Sequence, residues 1–139
     1  TLGVSVDEPG YGAYLNALHY GEATLTFPQT LVLRYTRLEP KERRSPQVAD
    51  DYGKWFLARL RGLEAIVSTQ EFVAAGRFTA ADISVSYALL LAGTLKLDEQ
   101  FPPAVAAYWA RMQERDGFKR AKLAQSTAAK DQQVNPSWS

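Results

Sequence analysis

The sequence contains no cysteine. Disulfides, thiolate metal sites, cysteine nucleophiles and thiol redox switches are therefore excluded. A single histidine, His19, rules out zinc sites built on two or three imidazoles. No charge sign dominates, since 16 Lys and Arg stand against 15 Asp and Glu. That balance, with 46% hydrophobic residues, excludes both a disordered chain and a nucleic-acid polyelectrolyte. Long apolar runs are missing too. The longest, Ile83 to Leu95, covers roughly 13 residues and is interrupted by Ser84, Ser86, Gly93 and Thr94, against the ~20 that a membrane helix needs. A cytoplasmic location without a membrane segment is the expectation.

The 139 residues suffice for one domain and not for two. Residues 1–9 have neither a basic start nor an apolar stretch, so they read as an interdomain linker remnant rather than a signal peptide. A helical domain is expected over 10–125, and a polar C-terminal tail carrying the isolated Trp138 over 126–139.

Within the domain the apolar spacing is helical throughout. Tyr11, Leu15, Leu18, Glu22 and Leu25 recur every three or four residues, with Tyr14, Ala17 and Gly21 widening the stripe. The opposite side carries Asn16, His19, Tyr20 and Ala23 in place of Lys and Glu, so that both sides are expected to be covered. Pro28 kinks or restarts this helix, and Leu31, Tyr35 and Leu38 continue an apolar stripe. After a charged loop, Ser45 and Pro46 suit the cap and first position of a second helix. Its apolar set is Val48, Tyr52, Trp55, Phe56, Leu60, Leu63 and Ile66.

The most informative segment is Phe78-Thr79-Ala80-Ala81-Asp82-Ile83. Thr79 can accept from the Asp82 amide while the Asp82 carboxylate returns to the Thr79 amide, forming a capping box, and Phe78 and Ile83 are spaced for a hydrophobic staple. The helix so started, Ala80 to about Lys96, is apolar almost all round and belongs at the centre of a bundle. A further helix after Pro102-Pro103 turns Val105, Ala106, Tyr108, Trp109 and Met112 inward, and Phe118, Ala121 and Leu123 mark a short final one. The predicted fold is all-α, a five- to six-helix bundle around a central buried helix.

No catalytic set is visible. There is no nucleophile elbow for His19 to serve, and Gly10-Tyr11-Gly12 lacks both the third glycine and the preceding strand of a phosphate loop. His19 either lines a ligand pocket or caps a partner helix. The sequence implies no metal site.

The helix order, the segment Arg77 to Ser84 and the stretch Trp109 to Ala121 resemble the C-terminal all-helical domain of bacterial cytosolic glutathione S-transferases. The opening helix, Tyr14 to Leu25, is similar to the one that begins that domain. The resemblance implies a parent chain with an N-terminal thioredoxin-like domain, absent here, that binds glutathione as co-substrate and activates its thiol. It implies a homodimer, and a role for this half in forming the pocket for a small hydrophobic electrophile, with no cofactor bound by this domain alone and no catalytic residue in it. Substrate-binding positions carried over are Tyr11, Asn16, His19, Tyr20, Ala23, Thr24 and Leu91, with Glu22 near the dimer partner or glutathione. Asn16 matches an amide that approaches glutathione across the dimer, and Leu91 a pocket position held by Trp in one bacterial class. Arg115-Asp116 stands where the family has Arg-Pro, so Asp116 is expected to cap the last helix. The alternative that the same resemblance allows is a non-catalytic module for protein-protein interaction.

Overall fold

The computed structural model describes residues 1–134, and Trp138 lies outside them. Within that span the chain is helical, with no strand among the described residues. The first rod runs without a break over residues 11–38. It consists of α1 (Tyr11–His19), a π-helical stretch Tyr20–Thr26, α2 (Phe27–Leu33) and a second π-helical stretch Arg34–Leu38. Then follow α3 (Pro46–Val67), α4 (Ala80–Thr94), α5 (Pro103–Glu114) and α6 (Asp116–Asp131). Among the described residues the rods number five, within the five to six that the sequence predicts for an all-α bundle.

Local chemistry sets most of the boundaries. Gly10 enters α1 with φ 91, a left-handed conformation that costs glycine little. Pro28 restarts α-helical geometry in the first rod, since it sits in the first turn of α2, where its missing amide donor is tolerated, directly after the π-helical stretch. Inside that stretch the Thr26 hydroxyl donates to the Gly21 carbonyl at 2.9 Å. Ser45 caps α3 through the Val48 amide, with Pro46 at the first position, as expected from sequence. α4 ends in a hydrogen-bonded turn in which the Leu97 amide reaches Ala92 O (2.9 Å) and the Lys96 amide reaches Gly93 O (3.1 Å). Lys96 there takes φ 59, a position where glycine is the usual residue.

The core joins the first rod, α3, α4 and α5, with Phe118 of α6 packed against its margin. Leu25, Phe56, Leu60, Leu63, Val85, Leu89, Val105 and Tyr108 are buried together. Several expectations need correcting: Ala106 on α5 is exposed rather than inward, and Asn16, His19 and Ala23 are exposed rather than covered. On the first rod the buried stripe is Tyr14, Ala17, Gly21 and Leu25, with Tyr11, Leu15 and Leu18 half-buried at its edge and Glu22 and Leu38 exposed. On α3, Trp55 faces outward, stacked on Tyr52 with ring centroids 5.4 Å apart. α4 is not enclosed, since Ile83 and Tyr87 are 47% and 55% exposed. Finally, the last helix is long. α6 runs 16 residues through the expected polar tail as far as Asp131, its alanines favouring helix, and none of its residues is buried. Asp116 lies inside its first turn and makes no side-chain cap.

Residues 1–9 are fastened to the bundle. Val4 is buried, Leu2 O accepts from the Ala80 amide at 2.8 Å, and Arg77 holds both Gly3 O (3.1 Å) and the Glu8 carboxylate (2.9 Å).

Candidate functional site

The start of α4 is the best-defined polar centre in the molecule. The Thr79 hydroxyl accepts from the Ala81 amide at 3.3 Å, and Asp82 Oδ2 accepts from the Thr79 amide at 2.9 Å, closing the capping box. Sequence reasoning did not reach the second half of this arrangement. Asp82 Oδ1 accepts from the Val73 amide and from the Tyr108 hydroxyl, both at 3.0 Å, so one fully buried carboxylate ties the loop before α4 and the middle of α5 to the helix start. Burial, and then the Asp82 charge beside it, raise the Tyr108 hydroxyl well above the usual tyrosine range, which keeps it a donor. Phe78 packs edge-on against Phe72 and under the Arg115 guanidinium, whose carbon lies 3.6 Å from the ring centroid. Ile83 stands exposed on the groove described below.

The first rod crosses α4 at Gly21. A Cβ there would come within 2.6 Å of the Ser84 carbonyl carbon and 2.8 Å of its oxygen, so only glycine permits the approach. Ser84 Oγ donates to Leu18 O at 2.7 Å across the same crossing. Beside it Gln29 is fully buried, its amide donating to Leu25 O (2.9 Å) and Ala88 O (3.0 Å).

The sequence-predicted site residues fall into three groups. Asn16, His19, Glu22 and Ala23 are exposed on the first rod, and Asn16, His19 and Glu22 make no side-chain hydrogen bond among the described residues. Tyr11 and Thr24 are half-buried on the same rod, and Leu91 is half-buried on α4 one turn beyond Tyr87. Tyr20 is turned away from the others, its hydroxyl donating to Arg59 O and lying 3.0 Å from where a Cβ on Gly62 would be. Burial raises that hydroxyl's pKa. Tyr20 thus fastens the first rod to α3.

A second feature was not anticipated. Between α4 and α6 lies an open groove of about 690 Å³, walled by Leu2, Ile83, Tyr87, Leu90, Met112 and Phe118. That size suits a small molecule. Its signal in the sequence is the apolar outer face of α4, which periodicity assigns to the core.

No family profile and no curated protein sequence matches the chain. Solved structures do. Ure2p5 from Phanerochaete chrysosporium, cocrystallised with 1-(S-glutathionyl)-2,4-dinitrobenzene, superposes with a TM-score of 0.78 at 21% identity over 95% of this chain and 62% of that one. The glutathione transferase URE2P8 from the same fungus, with oxidised glutathione, gives 0.76 at 19% identity over 94% and 59%. A glutathione S-transferase from Methylobacillus flagellatus with glutathione bound gives 0.71 at 18% identity over 84% and 58%. This chain has the fold of the C-terminal helical domain of glutathione transferases. It spans about three fifths of the length of these transferases. In the frame of that transferase domain, the first rod and α4 carry the predicted site residues. The same fold is found in fungal and bacterial transferases. No helix among the described residues is long and apolar enough to cross a membrane.

Proposed function

We propose that the chain is the C-terminal half of a cytoplasmic glutathione transferase that conjugates glutathione to hydrophobic electrophiles in detoxification. The carrying observation is the likeness over 95% of this chain to a transferase cocrystallised with a glutathione conjugate. In this reading a preceding thioredoxin-like domain binds glutathione and lowers its thiol pKa. The helical half holds the electrophile in an apolar setting near that thiol, which accelerates addition by positioning. Tyr11, Thr24 and Leu91 contribute apolar wall to the pocket, and Ala23 leaves it room. Asn16, His19 and Glu22 project from the first rod toward glutathione or toward the second subunit of a homodimer, with Tyr20 fixing that rod against α3. The unpartnered state of Asn16, His19 and Glu22 supports this, because exposed amide, imidazole and carboxylate groups on one helix are free to meet a ligand.

That same polar face is what favours the second reading, a non-catalytic module whose first rod docks another protein. Glutathione conjugation to 1-chloro-2,4-dinitrobenzene by the parent protein separates the two. The transferase reading expects conjugation, with KM for the electrophile raised by Leu91→Asp and KM for glutathione raised by Asn16→Ala. Absence of conjugation by a folded parent protein that carries a thioredoxin-like domain would overturn it in favour of the module.

A further inference from the structure

Helix α4 begins with four amides that its own turns cannot serve. Three find acceptors within the capping segment: the Thr79 amide on Asp82 Oδ2, the Ala81 amide on the Thr79 hydroxyl and the Asp82 amide on Thr79 O. The fourth, Ala80, donates to Leu2 O at the other end of the sequence. The arm that presents this carbonyl, residues 1–9, is closed by a turn in which the Glu8 amide donates to Ser5 O at 3.0 Å and the Ser5 amide to Glu8 Oε1 at 2.8 Å. Arg77 spans the arm from Gly3 O to the Glu8 carboxylate, and Val4 between them is buried.

We propose that residues 1–9 are a latch on the start of α4, which releases as a unit while the Asp82 centre and the core stay closed. Its fastenings are weak beside those of the rest of the fold. Asp82 is fully buried, whereas the Arg77 and Glu8 side chains are 40% and 37% exposed, so water can replace their pairing. Segments held by few buried contacts open locally before the whole fold does. Glycines flank the part that must move: a Cβ on Gly3 would meet nothing within 4 Å, and Gly10 takes φ 91 at the joint with α1. Release leaves the Ala80 amide to water and removes Leu2 from the wall of the groove between α4 and α6. In the parent chain proposed above, movement of the preceding domain would reach α4 through this arm. The latch itself is a property of this chain and its test needs no such domain, so it stands or falls apart from the transferase reading.

Amide hydrogen exchange of the chain, followed residue by residue by NMR, tests this. The Ala80 amide should exchange ahead of those of Thr79 and Leu89, because of the three only Ala80 depends on the arm. In Arg77→Gln, which weakens both ties to the arm, its exchange should rise about tenfold while Thr79 and Leu89 keep their rates. Glu8→Gln, which removes only the ion pair, should raise it about two- to threefold. Since the chain has no cysteine, spin labels at Thr1→Cys and at the exposed Ala110→Cys report the position of the arm directly. One distance is expected in the otherwise unaltered chain, and a second, longer population when Val4→Ser and Arg77→Gln together remove the buried anchor and the guanidinium. Ala80 exchanging in step with Leu89, all three amides speeding up together in Arg77→Gln, or an unchanged spin-label distance in the double variant would each overturn the proposal. Loss of Leu89 protection in the double variant would do the same, since the arm would then be part of the core and not a latch upon it.

Discussion

Replacing Asp82 by Ala removes the acceptor for four buried donors at once, one of them the Thr79 hydroxyl at 3.3 Å. The three shorter bonds, from the Thr79 amide at 2.9 Å, the Val73 amide at 3.0 Å and the Tyr108 hydroxyl at 3.0 Å, are lost in a place with no solvent exposure. Leaving a buried donor unsatisfied costs roughly 1–3 kcal/mol. With partial entry of water into the space left, the sum comes to about 4 kcal/mol, a large share of the roughly 5–15 kcal/mol that holds a domain folded. In a chain of this length that lowers Tm by roughly 15 °C. Thr79→Ala removes only the hydroxyl cap and should cost about 1 kcal/mol, while Tyr108→Phe removes one donor and should cost about 1–2 kcal/mol. Denaturant unfolding of the three variants, followed by circular dichroism, ranks them. The reasoning is refuted if Asp82→Ala lies within 1 kcal/mol of the parent, or if Thr79→Ala proves the more damaging.

Further outcomes follow from the same packing. Gly21→Ala forces the first rod away from the Ser84 backbone and should destabilise by about 1–3 kcal/mol in chemical unfolding, a cost of overpacking; an unchanged midpoint would show that the rods can separate freely. Lys96→Gly relieves the left-handed backbone at φ 59 and should stabilise by roughly 0.5–1 kcal/mol, seen as a higher Tm. Glu39 is held below its usual pKa by its hydrogen bond from Arg34, and Glu114 by its hydrogen bond from Lys119. Their small, salt-screened contributions are present above the ordinary carboxylate pKa and are lost as pH falls through the lowered values. A thermal-melt series should therefore show this part of the stability vanish only on acidification, and less of it in high salt. The exposed apolar residues Ile83, Tyr87 and Leu123 should drive self-association of the isolated chain, and a purely monomeric sedimentation profile at high concentration would contradict that.

What the sequence made legible was local. Ser45 with Pro46 and Thr79 with Asp82 define helix starts through contacts within three residues, and both occur as expected. The long period of α3 likewise identifies Phe56, Leu60 and Leu63 as core. What stayed hidden depends on partners distant in sequence. Asp82 reads as a cap, and nothing local announces that Val73 and Tyr108 share its other oxygen. Gly21 reads as a small residue in a stripe, whereas its role is the close crossing with Ser84. Glu22 and Leu38 lie at the surface because apolar spacing gives a helical period without saying which of two neighbouring faces meets the core. The outer face of α4 has core composition without core burial, so periodicity alone hides the groove. Of the candidate site, the exposed positions Asn16, His19, Glu22 and Ala23 share the first rod, while Tyr20 serves the packing of that rod on α3.

The central claim is that this helical bundle works as one half of a glutathione transferase. Intact mass and peptide mapping of the native protein from its source cells tests it most directly. The account predicts peptides of a thioredoxin-like sequence joined ahead of Thr1, in the same chain as the α3 and α4 peptides. A native chain whose first residue is Thr1 would contradict it, because no thiol-activating domain would then accompany the bundle.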